Sequence, residues 1–561
     1  MLVVSGTMCN GASATDSINT FNGNDAVKGW FFREDGFGHD WPNGSHANQP
    51  MMWTEDEMWF DAWPSASLSV SSSGSSRGAR NSWGYQPMIP AGSSSDGHDD
   101  DSRSWNSATP FQVARFFARG AVLHNFYMWF GGNNYERTAG GDVKTAYADS
   151  APLHSDTMRN EPPFSHLTKL HMLLHRLSGV LSNSVPQIGN GTNCTTMQGG
   201  ISSVVAFRYH DATEDVVFIE NSNETATLHA QCWGRQYSVS HSSIQIASTT
   251  TGEILWASDE APSTPSPTRT YTPVHDKPFA WKAYSEPLTL SESSGESVVS
   301  SRPLEQLNLT GDLTGFCVYQ TSFSHQEQSA AELLVVTGRT NNAYIVAIDG
   351  QVVAKLEHHK NGVLDQVVLN ASIPLSAWKD STAQHTLTVV SSSLGLRNDN
   401  IFADSREAKG FELLTLGALN MTAQKWQQRA GLVGETSDVT RLQPSLTVAN
   451  TSMVWLQSTF VLDTKPNGTS PTYVFDASGL GRGYIYVNNF SLGRYWPIVP
   501  IVGISAPGQR YYHVPPDCLQ QGTNLVKICE EIGAPHPELA RLATVALKVD
   551  DDERSTVWTM L

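Results

Sequence analysis

The sequence predicts a multidomain chain in which an α/β region, up to about residue 185, is followed by an all-β region. In the first region, apolar runs of strand length alternate with segments whose apolar residues recur at helical spacing. From about residue 186 onward, short alternating strands are separated by turn residues, a pattern typical of β-sheet domains. The length of 561 residues also exceeds what one hydrophobic core supports, so several domains are expected.

The elements of the α/β region follow in a regular rhythm. Apolar runs predict strands at Leu2–Val4, Met51–Thr54 and Ala121–Phe130. Apolar residues at helical spacing predict helices at Gln112–Ala118 and His166–Leu181. Strand and helix alternating in this way predict a parallel sheet covered by helices.

A Ser/Gly-rich segment interrupts this region at residues 65–108. Its polar composition predicts a disordered surface loop. The acidic run Asp99–Asp101 inside it is expected to be solvated and not to bind a metal.

The all-β region contains two segments that resemble each other, Tyr344–Lys355 and Tyr484–Tyr495. Each predicts a hairpin with Asp-Gly or Asn-Asn at its turn, and the pair indicates a duplicated β-sandwich of jelly-roll type. The Pro/Ser/Thr-rich segment 261–275 is typical of a linker. We therefore predict four domains, at residues 1–185, 186–290, 291–425 and 426–561.

Composition excludes several classes of function. The net charge of -18, with no basic stripe to offset it, argues against a nucleic-acid partner. No run of 18 apolar residues occurs, so no membrane span is expected. The six cysteines show no spacing typical of a metal site.

The cellular compartment is suggested by potential glycosylation sites. Ten asparagines stand in Asn-X-Ser/Thr triplets: Asn43, Asn190, Asn193, Asn223, Asn308, Asn370, Asn420, Asn450, Asn467 and Asn489. Such triplets fit a protein that is secreted or sent to a lysosome- or vacuole-like compartment. The sequence begins without the pattern of a signal peptide, which conflicts with that interpretation.

Glu55 is the first candidate for chemistry, because it ends the apolar run Met51–Thr54. In a barrel of alternating strands and helices, catalytic groups lie at the carboxyl ends of strands. A carboxylate there, with Trp53 two residues earlier, suits attack on the anomeric carbon of a sugar. The alternative is that Glu55 caps the turn that follows.

Longer motifs surround this residue in a fixed order. They are Met8-Cys9 with Ser17–Gly23, Met52–Glu55, Asn125–Gly141, Glu161–His171, Gly493–Pro497 and Arg510–Pro515. In this order they resemble motifs of the β-galactosidases of glycoside hydrolase family 35, especially the multidomain type found in plants. The resemblance extends over essentially the whole chain.

The resemblance implies a retaining hydrolase on a TIM barrel, with one carboxylate as nucleophile and a second as acid/base. Glu55 matches the nucleophile, on the seventh barrel strand. The acid/base lies on the fourth strand, upstream of the motif that Met8-Cys9 matches. We therefore expect residues 1–185 to hold strands five to eight, the last domain to be galactose-binding-like, and this chain alone to be inactive. Glu136 is the one carboxylate that we keep as a replacement acid.

Further residues are expected around the sugar. Tyr127, in the last predicted barrel strand, is expected to hydrogen-bond the nucleophile. Tyr147 is expected to contact the substrate or to be a core or rim tyrosine, and Asp149 replaces a second tyrosine of the matching family motif. Asn22 is expected to bind a sugar hydroxyl or to close a turn. Trp53 is expected to pack in the barrel and not to form a sugar platform.

The leading hypothesis is an exo-β-galactosidase that releases terminal β-linked galactose from oligosaccharides or glycoconjugates, with a galactoside as its partner molecule. It implies no metal or organic cofactor. The alternative is a non-catalytic carbohydrate-binding protein, whose β-domains bind glycans. A third interpretation is that a separate polypeptide supplies the first half of the barrel.

Overall fold

The computed structural model describes nineteen segments of the chain, to which every structural statement here refers. They are residues 4–7, 18–22, 50–56, 102–139, 145–149, 151–189, 191–196, 204–223, 226–260, 268–290, 297–324, 331–339, 341–358, 366–374, 384–396, 408–445, 447–467, 470–497 and 509–548. Most of the predicted loop 65–108, the acidic run in it, and two of the ten candidate glycosylation sites, Asn43 and Asn190, lie outside these segments.

The first four strands form a parallel sheet, as predicted. They are β1 (Val4–Thr7), β2 (Ile18–Asn22), β3 (Met52–Asp56) and β4 (Leu123–Phe126). Each strand is paired in parallel with the next one along the chain. Strand β4 is shorter than the predicted run 121–130, because the chain turns after Phe126.

Three helices accompany this sheet: α1 (Ser102–Ala118), α2 (Pro163–Arg176) and α3 (Ser178–Asn183). The helix predicted at 166–181 is therefore two helices, which meet at Leu177. Helix α1 also corrects the predicted loop, because residues 102–108 are helical. Once the buried residues Val113 and Ala114 anchor the helix, each further residue adds a backbone hydrogen bond, so it extends into the polar segment.

The next eight strands form two antiparallel sheets. The strands are β5 (Gln187–Ile188), β6 (Cys194–Thr196), β7 (Val204–His210), β8 (Asp215–Asn221), β9 (Leu228–Cys232), β10 (Arg235–Val239), β11 (Ser243–Ser248) and β12 (Ile254–Ala257). Their orders are β10-β9-β6 and β12-β11-β8-β7-β5. A disulfide joins Cys194 to Cys232, which are partners in the register of β6 and β9. Helices α1 and α2 pack on the five-stranded sheet, through residues such as Ala114, Leu170 and Phe218.

The remainder of the chain contains the same seven-strand unit twice. The first unit is β16 (Phe316–Ser324), β17 (Ala331–Arg339), β18 (Asn342–Ile348), β19 (Gln351–His358), β20 (Gln366–Pro374), β21 (Gln384–Ser393) and β22 (Phe411–Leu416). The second is β25 (Val454–Leu462), β26 (Thr472–Asp476), β27 (Gly483–Val487), β28 (Phe490–Tyr495), β29 (Tyr511–Val514), β30 (Gly522–Glu530) and β31 (Arg541–Lys548).

Strand order confirms that the two units are a duplication. In each unit the first, sixth, third and fourth strands are neighbours in one sheet, and the fifth, second and seventh strands are neighbours in another. Apolar side chains from the two sheets share a core, as Tyr319 and Leu334 do in the first unit and Phe460 and Phe475 in the second. The units also pack on each other, with the rings of Phe316 and Tyr484 5.7 Å apart.

The remaining elements show where the predicted domain boundaries need correction. They are β13 (Thr268–Pro273), β14 (Lys282–Ser285), β15 (Val298–Ser300), α4 (Gln306–Thr310), β23 (Leu419–Asn420), β24 (Trp426–Ala430) and α5 (Val433–Thr436). Strand β24 pairs with β16 of the first unit, so that sheet crosses the boundary predicted at 425/426.

The predicted linker 261–275 is also corrected, because residues 268–273 form strand β13, which pairs with β31. Alternating β-branched residues favour this strand. Its terminal proline is tolerated because β13 lies at the edge of its sheet. Strand β14 pairs with β25 in the same unit. Residues 268–285 thus belong structurally with the end of the chain, although the sequence assigns them to the small β domain.

Both predicted hairpins are confirmed. The turn residues Asp349 and Gly350 join β18 to β19, and Asn488 and Asn489 join β27 to β28. All four have positive φ, as a two-residue turn between antiparallel strands requires. Within the described segments, no helix has the length and apolarity needed to cross a membrane.

Candidate functional site

Glu55 lies at the carboxyl end of β3, in a bulge. Across the pairing with β2, Phe21 is opposite Trp53 and Asn22 is opposite Glu55, so β3 has one extra residue. The pairing with β4 shows the same excess, because Trp53 and Asp56 are partners of His124 and Phe126. Bulges of this kind redirect side chains and occur next to active sites. The backbone of Asn22, predicted to bind sugar, therefore lies directly beside that of Glu55.

Trp53 packs inside the sheet, as predicted. Its side chain is fully buried, and its ring makes edge contacts with Phe116 at 5.7 Å and with His124 at 4.9 Å between centroids. The indole Nε1 donates a 2.9 Å hydrogen bond to the carbonyl oxygen of Glu55. Trp53 thus holds the backbone of the candidate nucleophile in place.

A buried pair next to Glu55 was not predicted. Asp56 Oδ2 lies 2.9 Å from His124 Nε2, and the two side chains are 0% and 4% exposed. The sequence feature that could have indicated this pair is a histidine within the apolar run Ala121–Phe130, since a buried polar ring needs a hydrogen-bond partner. The pair joins β3 to β4 on either side of the bulge.

Tyr127 and Tyr147, the two predicted site tyrosines, lie together. Their hydroxyl groups are in hydrogen-bond contact, and their rings are nearly perpendicular with centroids 6.2 Å apart. The backbone N–H of Tyr127 donates a 2.7 Å hydrogen bond to the carbonyl oxygen of Asp56. This tyrosine pair therefore adjoins the end of β3 that carries Glu55. The proposed hydrogen bond from Tyr127 to the nucleophile stays a prediction.

The segment that carries Tyr147 is paired with the loop that follows β4. The N–H groups of Tyr147 and Ala148 donate to the carbonyls of Gly132 and Gly131, at 3.2 and 2.9 Å. This approach requires a glycine at 131, since a Cβ there would lie 2.5 Å from the carbonyl oxygen of Ala148. The position of Tyr147 thus depends on close backbone contact.

Asp149, which replaces a tyrosine of the family motif, forms an ion pair across the domains. Arg269 of β13 lies 2.7 Å from Oδ2 of Asp149 and 2.9 Å from Oδ2 of Asp156. Burial raises the pKa of Asp149, but Arg269 and the hydrogen bonds from Ser155 outweigh it and hold that pKa well below its usual range. The ionised form of Asp149 is therefore favoured in the folded protein.

The motifs near the end of the chain contact the same segment. The carbonyl of Arg494 accepts a 2.9 Å hydrogen bond from Thr145 Oγ1, and Gln509 Oε1 accepts one of 2.8 Å from the N–H of Ala146. Tyr135 Oη lies 2.7 Å from His513 Nδ1. These contacts place the two C-terminal motifs against the loops that follow β4.

Glu136, the replacement acid kept from the sequence, occupies this junction. Glu136 is exposed, and its backbone N–H donates a 3.2 Å hydrogen bond to the carbonyl of Ser491. Asp156, the other carboxylate of this region, is committed to Arg269. Among the described residues no group of three or more His, Cys, Asp or Glu side chains is placed to hold a metal ion.

Two family models match the chain. Residues 96–174 match the glycosyl hydrolases family 35, and residues 453–524 match the beta-galactosidase galactose-binding domain. The first match contains Tyr127 and Tyr147, and Glu55 precedes it. The second runs from the end of the β24–β25 connection into β30.

Relatives match over most of the chain. It is 26% identical to Beta-galactosidase 11 of Oryza sativa subsp. japonica over 524 residues, which are 91% of this chain and 55% of the relative. It is also 26% identical to Probable beta-galactosidase 2 of Dictyostelium discoideum over 526 residues, 88% of this chain and 60% of the relative. The chain spans somewhat more than half the length of these relatives.

These matches place the chain among the glycoside hydrolases. Within that class, the family whose model matches is glycosyl hydrolases family 35, and the relatives that match over most of the chain are named as β-galactosidases. Solved structures add no argument, because the similarity is too low. A lectin from Pleurotus ostreatus, for example, is 10% identical with a TM-score of 0.13, over 54% of this chain and 86% of the lectin.

Proposed function

We propose that the protein is a retaining β-galactosidase that removes terminal, non-reducing β-linked galactose from oligosaccharides or glycoconjugates. The observation that supports this most is the position of Glu55, at the carboxyl end of a parallel strand. The bulge sets Glu55 beside Asn22, and the carbonyl of Asp56 is bonded to Tyr127. In a chain of family 35, this is where the nucleophile is expected.

The proposed reaction is a double displacement. The carboxylate of Glu55 attacks the anomeric carbon while the aglycone departs, and water then hydrolyses the galactosyl ester to release galactose and regenerate the carboxylate. The tyrosine pair suits this site. A phenolic hydroxyl can both donate and accept hydrogen bonds, as contacts with a carboxylate or a sugar oxygen require. Tyr127 and Tyr147 are proposed for that role, and Asn22 for contact with a sugar hydroxyl.

We further propose that β1 to β4 are the fifth to eighth strands of a TIM barrel, and that the acid/base belongs to an earlier strand. Neither local alternative suits the role, because Glu136 is exposed at the junction and Asp156 is paired with Arg269. Loss of a general acid typically lowers the rate by about 10²- to 10⁴-fold. A substrate whose leaving group departs without protonation therefore reports on the role of Glu55 alone.

A second candidate function is galactose binding without hydrolysis. Its support is the match of residues 453–524 to a galactose-binding domain. In that case a sugar would bind to the second seven-strand unit, and Glu55 would have no chemical role.

Passage through the secretory pathway is also proposed. The asparagines of six candidate glycosylation triplets are exposed, at positions 308, 370, 420, 450, 467 and 489. The disulfide Cys194–Cys232 fits an oxidising compartment. These observations favour a secreted protein or one of a lysosome- or vacuole-like compartment.

The test of the catalytic proposal is covalent labelling with a 2-deoxy-2-fluoro-β-galactoside that carries a dinitrophenyl leaving group. This leaving group needs no proton, so the reagent tests the nucleophile separately from the acid. Mass spectrometry of peptides should find a fluorogalactosyl ester on Glu55, with no ester on the Glu55→Gln variant. Absence of label on a folded chain would overturn the catalytic proposal.

The same samples distinguish the two candidate functions, hydrolysis and galactose binding without hydrolysis. Calorimetric titration with galactose measures binding to the wild-type chain and to Glu55→Gln. Binding by both, without label on Glu55, would favour the non-catalytic alternative. If galactose does not bind and no label forms, both candidates are wrong.

A further inference from the structure

The side chain of Arg269 connects the second seven-strand unit to the segment that carries Tyr147. Arg269 belongs to β13, an edge strand held by β31. Its guanidinium reaches Asp149 through both terminal nitrogens, at 2.7 and 3.2 Å, and Asp156 through one of them, at 2.9 Å. One arginine thus forms ion pairs with two carboxylates on a loop that belongs to the first region of the chain.

The two carboxylates close this loop at both ends. Asp149 also accepts hydrogen bonds from the N–H of Ser155 at 3.1 Å and from its hydroxyl. Asp156 Oδ1 accepts a 3.1 Å hydrogen bond from the N–H of Met158. Without the guanidinium, two neighbouring carboxylates would repel each other across this loop. The guanidinium thus offsets this repulsion and joins both carboxylates to β13.

The loop begins two residues after Tyr147, and a continuous series of contacts leads from there to the end of β3. Ala148, between Tyr147 and Asp149, is fully buried, and its N–H is hydrogen-bonded to the carbonyl of Gly131. A shift of Asp149 would therefore be transmitted to the backbone of Tyr147. The Tyr147 hydroxyl contacts that of Tyr127, whose N–H is bonded to the carbonyl of Asp56.

The strand that carries Arg269 is itself held firmly. The ring of Tyr271, two residues further along β13, stacks on that of Tyr511, with centroids 3.5 Å apart and planes inclined by 6°. A guanidinium fixed on such a strand offers a rigid, two-pronged contact that a lysine does not reproduce.

We propose that Arg269 is a positioning residue for Tyr147, so that the second seven-strand unit is a working part of the sugar site and not a separate module. This inference rests on the proposed function, because it takes Tyr147 as a contact of the galactosyl group. In this chain the segment is anchored by an ion pair between domains.

The test combines two readouts on the whole chain. The first is hydrogen–deuterium exchange of peptides that cover residues 145–157. The second is the rate constant for labelling of Glu55 by the dinitrophenyl fluorogalactoside. Replacing Arg269 by Met should speed exchange in these peptides and slow labelling about tenfold or more. Arg269→Lys should recover part of both, because it keeps the charge but loses the two-pronged contact.

A matched control is Arg208→Met. Arg208 forms a two-pronged pair with Asp215, at 2.8 and 2.5 Å, but within the small β region. This variant should leave both readouts unchanged. Asp149→Asn breaks the Arg269 contact from the loop side and carries the test if Arg269→Met does not fold.

The outcomes distinguish this inference from the proposed function. If the wild-type chain is labelled and Arg269→Met is labelled at the same rate, while its exchange rises, the arginine is merely structural and the inference is wrong. If exchange at residues 145–157 does not change either, the ion pair does not hold the loop. If the wild-type chain is not labelled at all, the proposed function fails first, and the inference falls with it.

Discussion

Nε2 of His124 lies 2.9 Å from Oδ2 of Asp56, and this pair is buried in the parallel sheet immediately after Glu55. Because Asp56 follows the bulge of β3 and His124 lies on β4, the hydrogen bond ties the two strands together where their regular register fails. The Asp56–His124 hydrogen bond therefore stabilises the bulge that carries Glu55.

Replacing His124 by Leu should destabilise the sheet strongly. Removing one member of a buried hydrogen-bonded pair costs about 1–3 kcal/mol, because the remaining group loses a partner without gaining water. Urea unfolding followed by fluorescence would measure the loss, since Trp53 touches His124. The double variant Asp56→Leu/His124→Leu should recover at least half of it.

A comparison pair provides the control for this cycle. His385 and Asp349 lie 2.7 Å apart, but Asp349 is 47% exposed. The coupling between these two residues should stay below about 1 kcal/mol, as for partly exposed pairs. Simple additivity of the two Leu substitutions at Asp56 and His124 would contradict the predicted coupling.

Replacing Gly131 by Ala should displace the segment that carries Tyr147. The added Cβ would lie 2.5 Å from the carbonyl oxygen of Ala148 and 2.8 Å from the nitrogen of Ser155. Backbone atoms cannot avoid the added Cβ by changing rotamer, as a side chain does. We therefore expect the free energy of unfolding to fall by about 2 kcal/mol or more, within the range for overpacked sites. Faster hydrogen exchange at residues 145–149 would report the displacement.

Gly179→Ala is the matched control for this substitution. Gly179 is exposed in α3, and nothing lies within 4 Å of the position of an added Cβ. Alanine favours a helix over glycine by up to about 1 kcal/mol, so this variant should be neutral or more stable. If Gly131→Ala lowers the free energy of unfolding no more than Gly179→Ala does, the fold does not depend on the close approach of Gly131 to Ala148.

Local patterns in the sequence were enough for some strands and for two hairpin turns. The run Met51–Thr54 predicts β3, and the residues Asp349-Gly350 and Asn488-Asn489 predict two hairpins that the structure confirms. These features depend on neighbouring residues, so a single sequence contains them. The duplication also follows from such local similarity, and the strand order then extends it to seven strands.

Local sequence patterns do not predict contacts between residues that are distant in sequence. Arg269 lies 120 residues from Asp149 in sequence, inside a Pro/Ser/Thr-rich segment that predicts a linker. Its role emerges only when β13 pairs with β31. The bulge at Glu55 is equally hidden, because a register shift is a property of two strands and not of one.

The stability of the region around α2 should depend on pH through two histidines. Burial lowers the pKa of His166 and of His171 to about 4, from the usual value of about 6.5. The unfolded chain therefore binds protons first as the pH falls. The stabilisation is complete above pH about 6.5 and is lost progressively between about 6.5 and 4. Unfolding midpoints measured across this range should decrease.

His171→Phe should reduce that dependence. The ring of His171 lies 5.4 Å from that of Phe126 and 5.5 Å from that of Trp129, so an aromatic replacement suits the site. The control is His175→Gln, an exposed position on the same helix, which should leave the pH profile as it is. An unchanged profile in His171→Phe would show that another group causes the loss.

The equivalence of the two hairpins predicts that their second turn residues are interchangeable. Asn489 and Gly350 occupy corresponding positions, with φ of 71° and 78°. Asn489→Gly and Gly350→Asn should each change the free energy of unfolding by less than about 0.5 kcal/mol, because glycine and asparagine both tolerate this conformation. Asn489→Val should cost about 1–2 kcal/mol, since a β-branched residue does not.

Urea unfolding of protein made without glycosylation would measure these effects, because Asn489 is also a candidate glycan acceptor. The Val substitution should act beyond the turn. Phe490, the next residue, packs against Tyr135 with ring centroids 5.2 Å apart, and Ser491 accepts the N–H of Glu136. Asn489→Val should therefore also speed hydrogen exchange in the loop after β4, whereas Gly350→Val should strain its own turn and leave that loop unchanged. If hydrogen exchange in that loop is equal in both Val variants, the hairpin of the second unit does not influence the candidate site and the prediction is wrong.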